Sequence, residues 1–402
     1  MLHETQRLYD DRDQLKNWRK YGPYLTERQW GTVREDYSAT GNAWEFVSHD
    51  AARSKAFRWG EEGIGGISDD KQLVCFALGL WNKKDPILKE RMFGLAGSEG
   101  NHAEDCKDHY YYIDSTPTHS YMKMLYKYPQ NEFPYALLVD ENRKRGKLDP
   151  EFELVDTGIF DENKYFDVFI EYAKADDEDL LIRITIHNRG PVSARVSVLP
   201  QIWFRNTWSW GYDDYKPELS LSKKGFLKVS HKDLGDNFLS FEGKPDVLFC
   251  ENDTNTGRLY NHPQPGTCKD GINDFLIQAQ TDAINTESKG TKAALHYDLS
   301  LPSGKSSTIR LRLSKQNEKP FADFDEIFDK RLKEANDFFD ELQKDIRDKD
   351  AKNIQRQAIA GMMWSKQFFY YDIAQWLKGD PGQPPPPPAR LGGRNREWTH
   401  LN

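Results

Sequence analysis

The chain has 402 residues, of which 37% are hydrophobic and 30% charged, and its net charge is −8. This length is enough for two domains or for one large domain with a sizeable core, and the lack of basic runs interleaved with aromatic residues argues against a nucleic-acid partner. Four widely spaced cysteines, a charged N-terminus and the lack of a long apolar run predict a cytoplasmic protein with reduced thiols and no membrane partner.

The first 22 residues predict a helical lead, with a short charged helix over 3–20. From residue 23 to 318, alternating apolar and polar residues between turn signals predict one β-domain with long loops. No βαβ alternation is present, which favours a large antiparallel sandwich over a doubly wound sheet. The strand candidates are 73–81, 166–172, 183–188, 194–200, 226–230, 237–242 and 307–313.

Two of these strands, 183–188 and 194–200, flank the turn residues Arg189, Gly190 and Pro191. Both alternate apolar and polar residues, as expected for strands with one buried face. The short connection between them predicts a β-hairpin.

The hydrophobic period changes near residue 320. Spacings of three and four across 324–346 predict an amphipathic helix, which would form a helical linker over 319–348.

The last segment, 349–402, begins with a predicted helix over 351–378 that is apolar on most sides, and it continues through five prolines at 384–388. A helix of this kind needs partners on nearly every side, so association through 351–378 is predicted.

The densest polar cluster lies in 97–119 and includes His102, Glu104 and His109. His102 and Glu104 match the opening of a zinc-deaminase motif, but the Pro-Cys-x-x-Cys that completes its ligand set is missing. A packed loop is therefore favoured over a metal site. A glycine-rich stretch at 63–66 does not join a strand to a helix, so it gives little support for phosphate binding, and no cofactor is predicted.

Three tryptophans, Trp203, Trp208 and Trp210, lie within eight residues near a predicted strand end. Flat apolar rings can stack on sugar faces, and the same rings can form a patch at a protein interface. The sequence leaves both interpretations open.

Several long runs resemble the N-terminal portion of family 63 glycoside hydrolases. Among them are WGTVREDYS, HDAARSKAFRWGEEGIGGISDD, WFRNTWSWG, RQAIAGMMWSKQFFYYDIAQWL and GRNREWTHLN, and the resemblance covers roughly residues 3–402. It implies a mainly β fold: an N-terminal β-supersandwich, a helical linker and then an (α/α)6 barrel, of which this chain would hold only the first helix.

The resemblance also implies an inverting α-glycosidase that acts on oligosaccharides or small glycosides. In that family a catalytic Asp and Glu lie on the barrel, and neither matches a residue of this sequence, so no catalytic residue is assigned. The chain is accordingly expected to be a truncated, inactive front half that meets carbohydrate through the missing barrel. Candidates for the rim of the substrate site are Glu99, Asn101, His102 and Trp398.

Two other hypotheses remain open. The chain could be a separate carbohydrate-binding module that uses the three tryptophans, or a scaffold that pairs with a separate catalytic chain. Binding of oligosaccharide without turnover would favour the first, and recovery of activity on mixing two chains would favour the second.

Overall fold

The computed structural model describes residues 1–25, 38, 49–92, 108–146, 148–316 and 318–401. Within these residues the chain forms a six-stranded and a nine-stranded sheet, and every strand pair is antiparallel. The mainly β, sandwich-like class predicted from the sequence is confirmed.

The strands, numbered in chain order, are β1 Tyr21–Gly22, β2 Ile64–Asp69, β3 Val74–Trp81, β4 Tyr110–Ser115, β5 Tyr121–Pro129, β6 Tyr165–Asp176, β7 Asp179–Asn188, β8 Ala194–Phe204, β9 Glu218–Leu221, β10 Phe226–His231, β11 Gly235–Phe241, β12 Asp246–Cys250, β13 Lys289–Gly290, β14 Lys292–Leu301 and β15 Ser306–Ser314. The six-stranded sheet has the order β1-β2-β3-β8-β14-β12, and the nine-stranded sheet has the order β13-β9-β10-β11-β15-β7-β6-β5-β4 among the described residues.

The helices are α1 His3–Arg12, α2 His49–Ala52, α3 Tyr135–Lys144, α4 Thr256–Tyr260, α5 Gly271–Gln278, α6 Phe324–Leu342, α7 Lys349–Trp364, α8 Ile373–Lys378 and α9 Ala389–Gly392. α1 is shorter than the helix predicted over 3–20, because the chain turns at Asp13 and Gln14, whose φ is 57°.

The main core lies between the two sheets. Alternate residues of β7, such as Ile182 and Ile184, face those of β8, such as Val198 and Ile202, and all four are almost completely buried. Each such side chain contributes about 1.5–3 kcal/mol through removal from water. The large alternating apolar residues of the sequence therefore hold the two layers together.

The predicted hairpin is wrong. β7 pairs with β6 and β15 in the nine-stranded sheet, whereas β8 pairs with β3 and β14 in the six-stranded sheet. The connection between them crosses from one layer to the other, and the Asn188 side chain holds it by donating to the carbonyls of Val192 and Leu301, both at 2.8 Å. Alternation predicts a buried face for each strand but does not select its neighbour.

The predicted amphipathic helix near residue 320 is confirmed as α6, which covers the outer face of the nine-stranded sheet. Phe324 and Phe328 pack there with Tyr121 and Leu181. The helix ends at Leu342 rather than at residue 346.

The single helix predicted over 351–378 is interrupted, because its two apolar ends pack against different parts of the sandwich. α7 ends at Trp364, which stacks on Tyr112 at 5.2 Å and donates to the Asp114 carbonyl at 3.0 Å. α8 begins after Asp372, whose carboxylate caps the helix by accepting from the Gln375 amide at 2.9 Å.

A buried lysine on the nine-stranded sheet binds two other segments, the N-terminal stretch 18–21 and the turn between β4 and β5. Lys174 on β6 donates to the carbonyls of Trp18 and Tyr21, both at 2.5 Å, and of Thr118, at 3.1 Å. Burial lowers the pKa of this ammonium to about 7. The Glu4 carboxylate opposes that shift, and the three carbonyl acceptors match the three N–H donors of the ammonium.

Candidate ligand-binding cleft

A cleft of about 570 Å³ lies between the sandwich and the segment that contains α8 and the prolines. Its volume is within the ~300–1,000 Å³ usual for small-molecule sites. One wall comes from the loop after β8 and the loop around α4, and the other comes from residues 375–390. The lining residues are Lys55, Arg58, Trp208, Ser209, Trp210, Asp253, Thr254, Thr256, Tyr260, Gln264, Pro265, Gln375, Trp376, Gly379, Asp380, Gln383, Pro384, Pro385, Pro386, Pro387 and Arg390.

The tryptophan loop of the first wall is shaped by its own side chains. Asn206 accepts from the Ser209 amide at 3.1 Å, which closes a local turn. The Trp210 indole donates back to the Asn206 carbonyl at 2.8 Å, and Trp210 is only 7% exposed. Trp208 remains half-buried at the cleft.

Asp253 fixes the orientation of Trp208. Its carboxylate accepts from the Trp208 indole at 2.7 Å and from the Asn206 amide at 2.8 Å. Lys216 lies 3.2 Å from the other oxygen of Asp253. Desolvation lowers the pKa of Lys216, but its two carboxylate neighbours, Asp253 and Glu251, outweigh that effect and raise the pKa overall.

Asp380 plays the same part for the second wall. It accepts hydrogen bonds from Arg58, Tyr212 and Gln375, each at 3.0 Å. These donors come from three separate stretches of sequence, so one carboxylate joins the sandwich to α8 and to the proline segment.

Two glycines bring the walls into backbone contact. The Gly382 amide donates to the Trp210 carbonyl at 2.8 Å. A Cβ on Gly211, whose φ is 82°, would lie 2.5 Å from the Gly382 nitrogen, and a Cβ on Gly382 would lie 2.8 Å from the Gly211 nitrogen. Only residues without a side chain allow this approach.

The prolines form the far side of the cleft. Residues 384–387 are each followed by proline, which restricts them to extended conformations. The last proline, Pro388, has φ −54° and ψ −30° and leads into α9. Arg390 then donates to the Trp376 carbonyl at 2.8 Å and lies over the Trp376 ring at 4.7 Å.

The chemistry of the cleft suits binding better than acid–base catalysis. Asp253 and Asp380, the two carboxylates among the described lining residues, both hold neighbouring side chains in place. Glycoside hydrolysis needs one carboxyl group that gives a proton to the leaving oxygen and another that activates water or attacks. Aromatic and proline surfaces with interspersed amide and hydroxyl groups fit a ligand that has apolar faces and many hydroxyl groups.

The structure brings together two of the three predicted sugar-stacking tryptophans. Trp208 and Trp210 line the cleft, but Trp203 is 5% exposed on β8 and lines a different pocket. The three rings therefore do not form one continuous platform.

Of the predicted rim residues, Trp398 is the one that the structure describes. Trp398 is 53% exposed, lies 5.8 Å from the His400 ring and is apart from the described cleft lining. Glu99, Asn101 and His102 are outside the described residues, so their role at a substrate rim stays a prediction.

Tyr260, Asp253 and Asp380 are lining residues that the sequence did not single out. Tyr260 belongs to no motif, and Asp380 lies in a Gly-Asp-Pro-Gly sequence, whose residue types are typical of the end of a helix. Each acid has a partner more than 40 residues away, namely Trp208 for Asp253 and Arg58 for Asp380.

Within the described part of the chain, no group of three or more His, Cys, Asp or Glu side chains is arranged to hold a metal ion. Cys75, Cys250 and Cys268 are free thiols. Burial raises the pKa of Cys250 to about 12, which makes it a poor nucleophile.

In the described residues, no helix is long and apolar enough to cross a membrane.

The chain is similar to an uncharacterized protein of Saccharomyces cerevisiae, YMR196W. The two are 40% identical over 449 aligned positions, which cover 99% of this chain and 41% of the yeast protein. The chain thus spans less than half the length of this curated relative. No protein-family model matches the chain.

Among solved structures, one match is a putative kojibiose phosphorylase from the human microbiome. It is 13% identical, covers 49% of this chain and 21% of that protein, and has a TM-score of 0.23.

Proposed function

We propose that this chain is the β-sandwich part of an inverting α-glycosidase of the family 63 type and that it contributes a carbohydrate-binding cleft without catalysing hydrolysis. The cleft between the tryptophan loop and the proline segment is the observation that carries the proposal. It combines a half-buried indole, an exposed tyrosine ring and a proline surface with amide and carboxylate groups, which together can contact both the apolar faces and the hydroxyl groups of a sugar.

The sequence resemblance supports the substrate class of the proposal, and the geometry of the cleft supports a binding role for it. Both lining carboxylates among the described residues are engaged by structural hydrogen bonds, which supports a binding role. Catalysis would then depend on an Asp and a Glu that no residue of this sequence matches.

Substitution of Tyr260 tests the binding part of the proposal. Tyr260 is 51% exposed on the cleft, so Tyr260→Ala removes a stacking surface with little effect on the core. We expect the affinity for maltotriose, measured by titration calorimetry or ligand-observed NMR, to fall about fivefold to tenfold, or about 1–1.4 kcal/mol.

Tyr111→Ala is the matched control, because Tyr111 is 43% exposed on β4 and does not line the cleft. It should bind maltotriose like the unaltered chain. Equal affinity in all three proteins, or no binding by any of them, would contradict the proposal. Hydrolysis of an aryl α-glucoside by this chain alone would contradict its non-catalytic part.

We also propose that the exposed side of α7 packs against further helices. Ile354 is 62% exposed and Met362 is 78% exposed on this helix, whereas Ala360 and Trp364 on its other side are buried against the sandwich. An exposed apolar stripe of this kind favours association.

A charge placed on this stripe tests the proposal. We expect the chain to self-associate with rising concentration in light scattering, and Met362→Glu to shift it toward monomer. Leu342→Glu on α6, where Leu342 is 50% exposed, is the control and should leave association unchanged. A chain that stays monomeric at high concentration would contradict association through this stripe.

A further inference from the structure

A second pocket lies on the outer face of the six-stranded sheet. It is lined by three acidic and three basic residues that pair with one another: Glu62 with Arg91 at 2.6 Å, Glu61 with Lys269 at 3.1 Å and Glu90 with Lys292 at 3.1 Å. Because the charges balance, the pocket does not select a strongly charged ligand.

Apart from the Glu62 carboxylate, which is ion-paired with Arg91, two buried polar atoms belong to residues that line this pocket, and neither has a hydrogen-bond partner among the described residues. They are the indole Nε1 of Trp203, which can only donate, and the side-chain oxygen of Asn252, which can only accept. Trp203 is 5% and Asn252 0% exposed. A buried donor or acceptor without a partner costs about 1–3 kcal/mol.

The Asn252 amide is not free to turn toward another partner. Its Nδ2 donates to Glu61 at 3.0 Å and to the Phe204 carbonyl at 2.8 Å, which fixes the position of its oxygen. The space available in the pocket is about 30 Å³, whereas one water needs ~10–15 Å³ on the same measure.

From the size of the pocket and its complementary donor and acceptor, we propose that it is a built binding site for one or two water molecules, one of which bridges Trp203 Nε1 and Asn252 Oδ1. Water is the occupant of the right size that accepts from the indole and donates to the amide oxygen. Asn252 immediately precedes Asp253, so this water would brace the backbone that orients Trp208 at the cleft.

The indole proton of Trp203 reports on the site directly. In a 15N-labelled sample we expect a dipolar cross-peak between this proton and a long-lived water, and Trp203→Phe identifies the resonance by removing it. Trp18→Phe identifies the control resonance, because Trp18 Nε1 is also buried with no hydrogen-bond partner in the described part of the chain, and Trp18 lines none of the described pockets.

A water cross-peak at Trp203 with none at Trp18 supports the site. Absence of the cross-peak at Trp203, or equal cross-peaks at both indoles, overturns it. If Trp203→Phe does not fold, its resonance is assigned from the unaltered chain by triple-resonance experiments, so the test still decides. The result does not depend on which ligand occupies the cleft.

Discussion

Replacement of Gly211 by alanine is expected to detach the proline segment from the tryptophan loop. The new Cβ would lie 2.5 Å from the Gly382 nitrogen, and that contact is to backbone, which cannot rotate away as a side chain can. The positive φ of 82° adds strain for any residue with a side chain. We expect a loss of about 2–4 kcal/mol in the free energy of unfolding of the docked state.

The control for this substitution is Gly225→Ala. Gly225 also has a φ of 82°, but a Cβ there would meet nothing within 4 Å. Backbone strain is therefore the same in both variants, at about 1 kcal/mol. The difference between their free energies of unfolding measures the cost of the contact with Gly382.

Limited trypsin digestion reports whether the segment has detached. Arg390 is held against Trp376 in the docked state, and its release should speed cleavage after Arg390. We expect faster cleavage and weaker maltotriose binding in Gly211→Ala than in Gly225→Ala. Equal cleavage rates in the two variants would show that the glycine contact does not hold the wall.

The sequence predicted the layers of this fold better than their connections. Alternation located parts of β3, β6, β7, β8, β10, β11 and β15 because each has one face in the core. It could not show that β7 and β8 belong to different sheets, since the pattern within a strand is the same whichever neighbour it has. That choice depends on contacts distant in sequence, such as the pairing of Leu313 with Leu180.

The helical end shows the limit of periodicity in another way. Apolar residues continue at helical spacing from α7 into α8, yet Trp364 and Trp376 pack in different clusters on the sandwich. Tertiary contacts therefore outweigh the local preference for one continuous helix between them. Asp372 is a residue type that commonly caps helices. Its cap forms here because the contacts of Trp364 and Trp376 separate α7 from α8.

The cleft was only partly predictable, because some of its residues stand out in the sequence and others depend on distant contacts. Trp208 and Trp210 stand out because tryptophan is rare and clustered there, whereas Asp253 and Asp380 look like ordinary loop acids. Their roles arise when folding brings them to Trp208 and to Arg58. The use of glycine at 211 and 382 depends on the approach of two distant backbones, which no local pattern indicates.

Replacement of Lys174 by methionine is expected to cause the largest loss of stability among the substitutions considered. Methionine keeps most of the side-chain volume but has no donor, so the carbonyls of Trp18, Tyr21 and Thr118 lose the ammonium that they share. At about 1–3 kcal/mol for each buried group left unpaired, we expect a loss of about 3–5 kcal/mol in the free energy of unfolding.

The loss should be seen first where the N-terminal segment meets the sheet. Denaturant unfolding measures the loss in the free energy of unfolding. Amide hydrogen exchange at Tyr21 and Thr118 shows which part of the chain is destabilised. Lys228→Met is the control, because Lys228 also lies on a strand but is 43% exposed, and it should cost less than about 0.5 kcal/mol. A Lys174→Met variant as stable as this control would mean that the three carbonyls are satisfied without the lysine, and the N-terminal segment would then be held by the Arg7 and Glu334 ion pair instead.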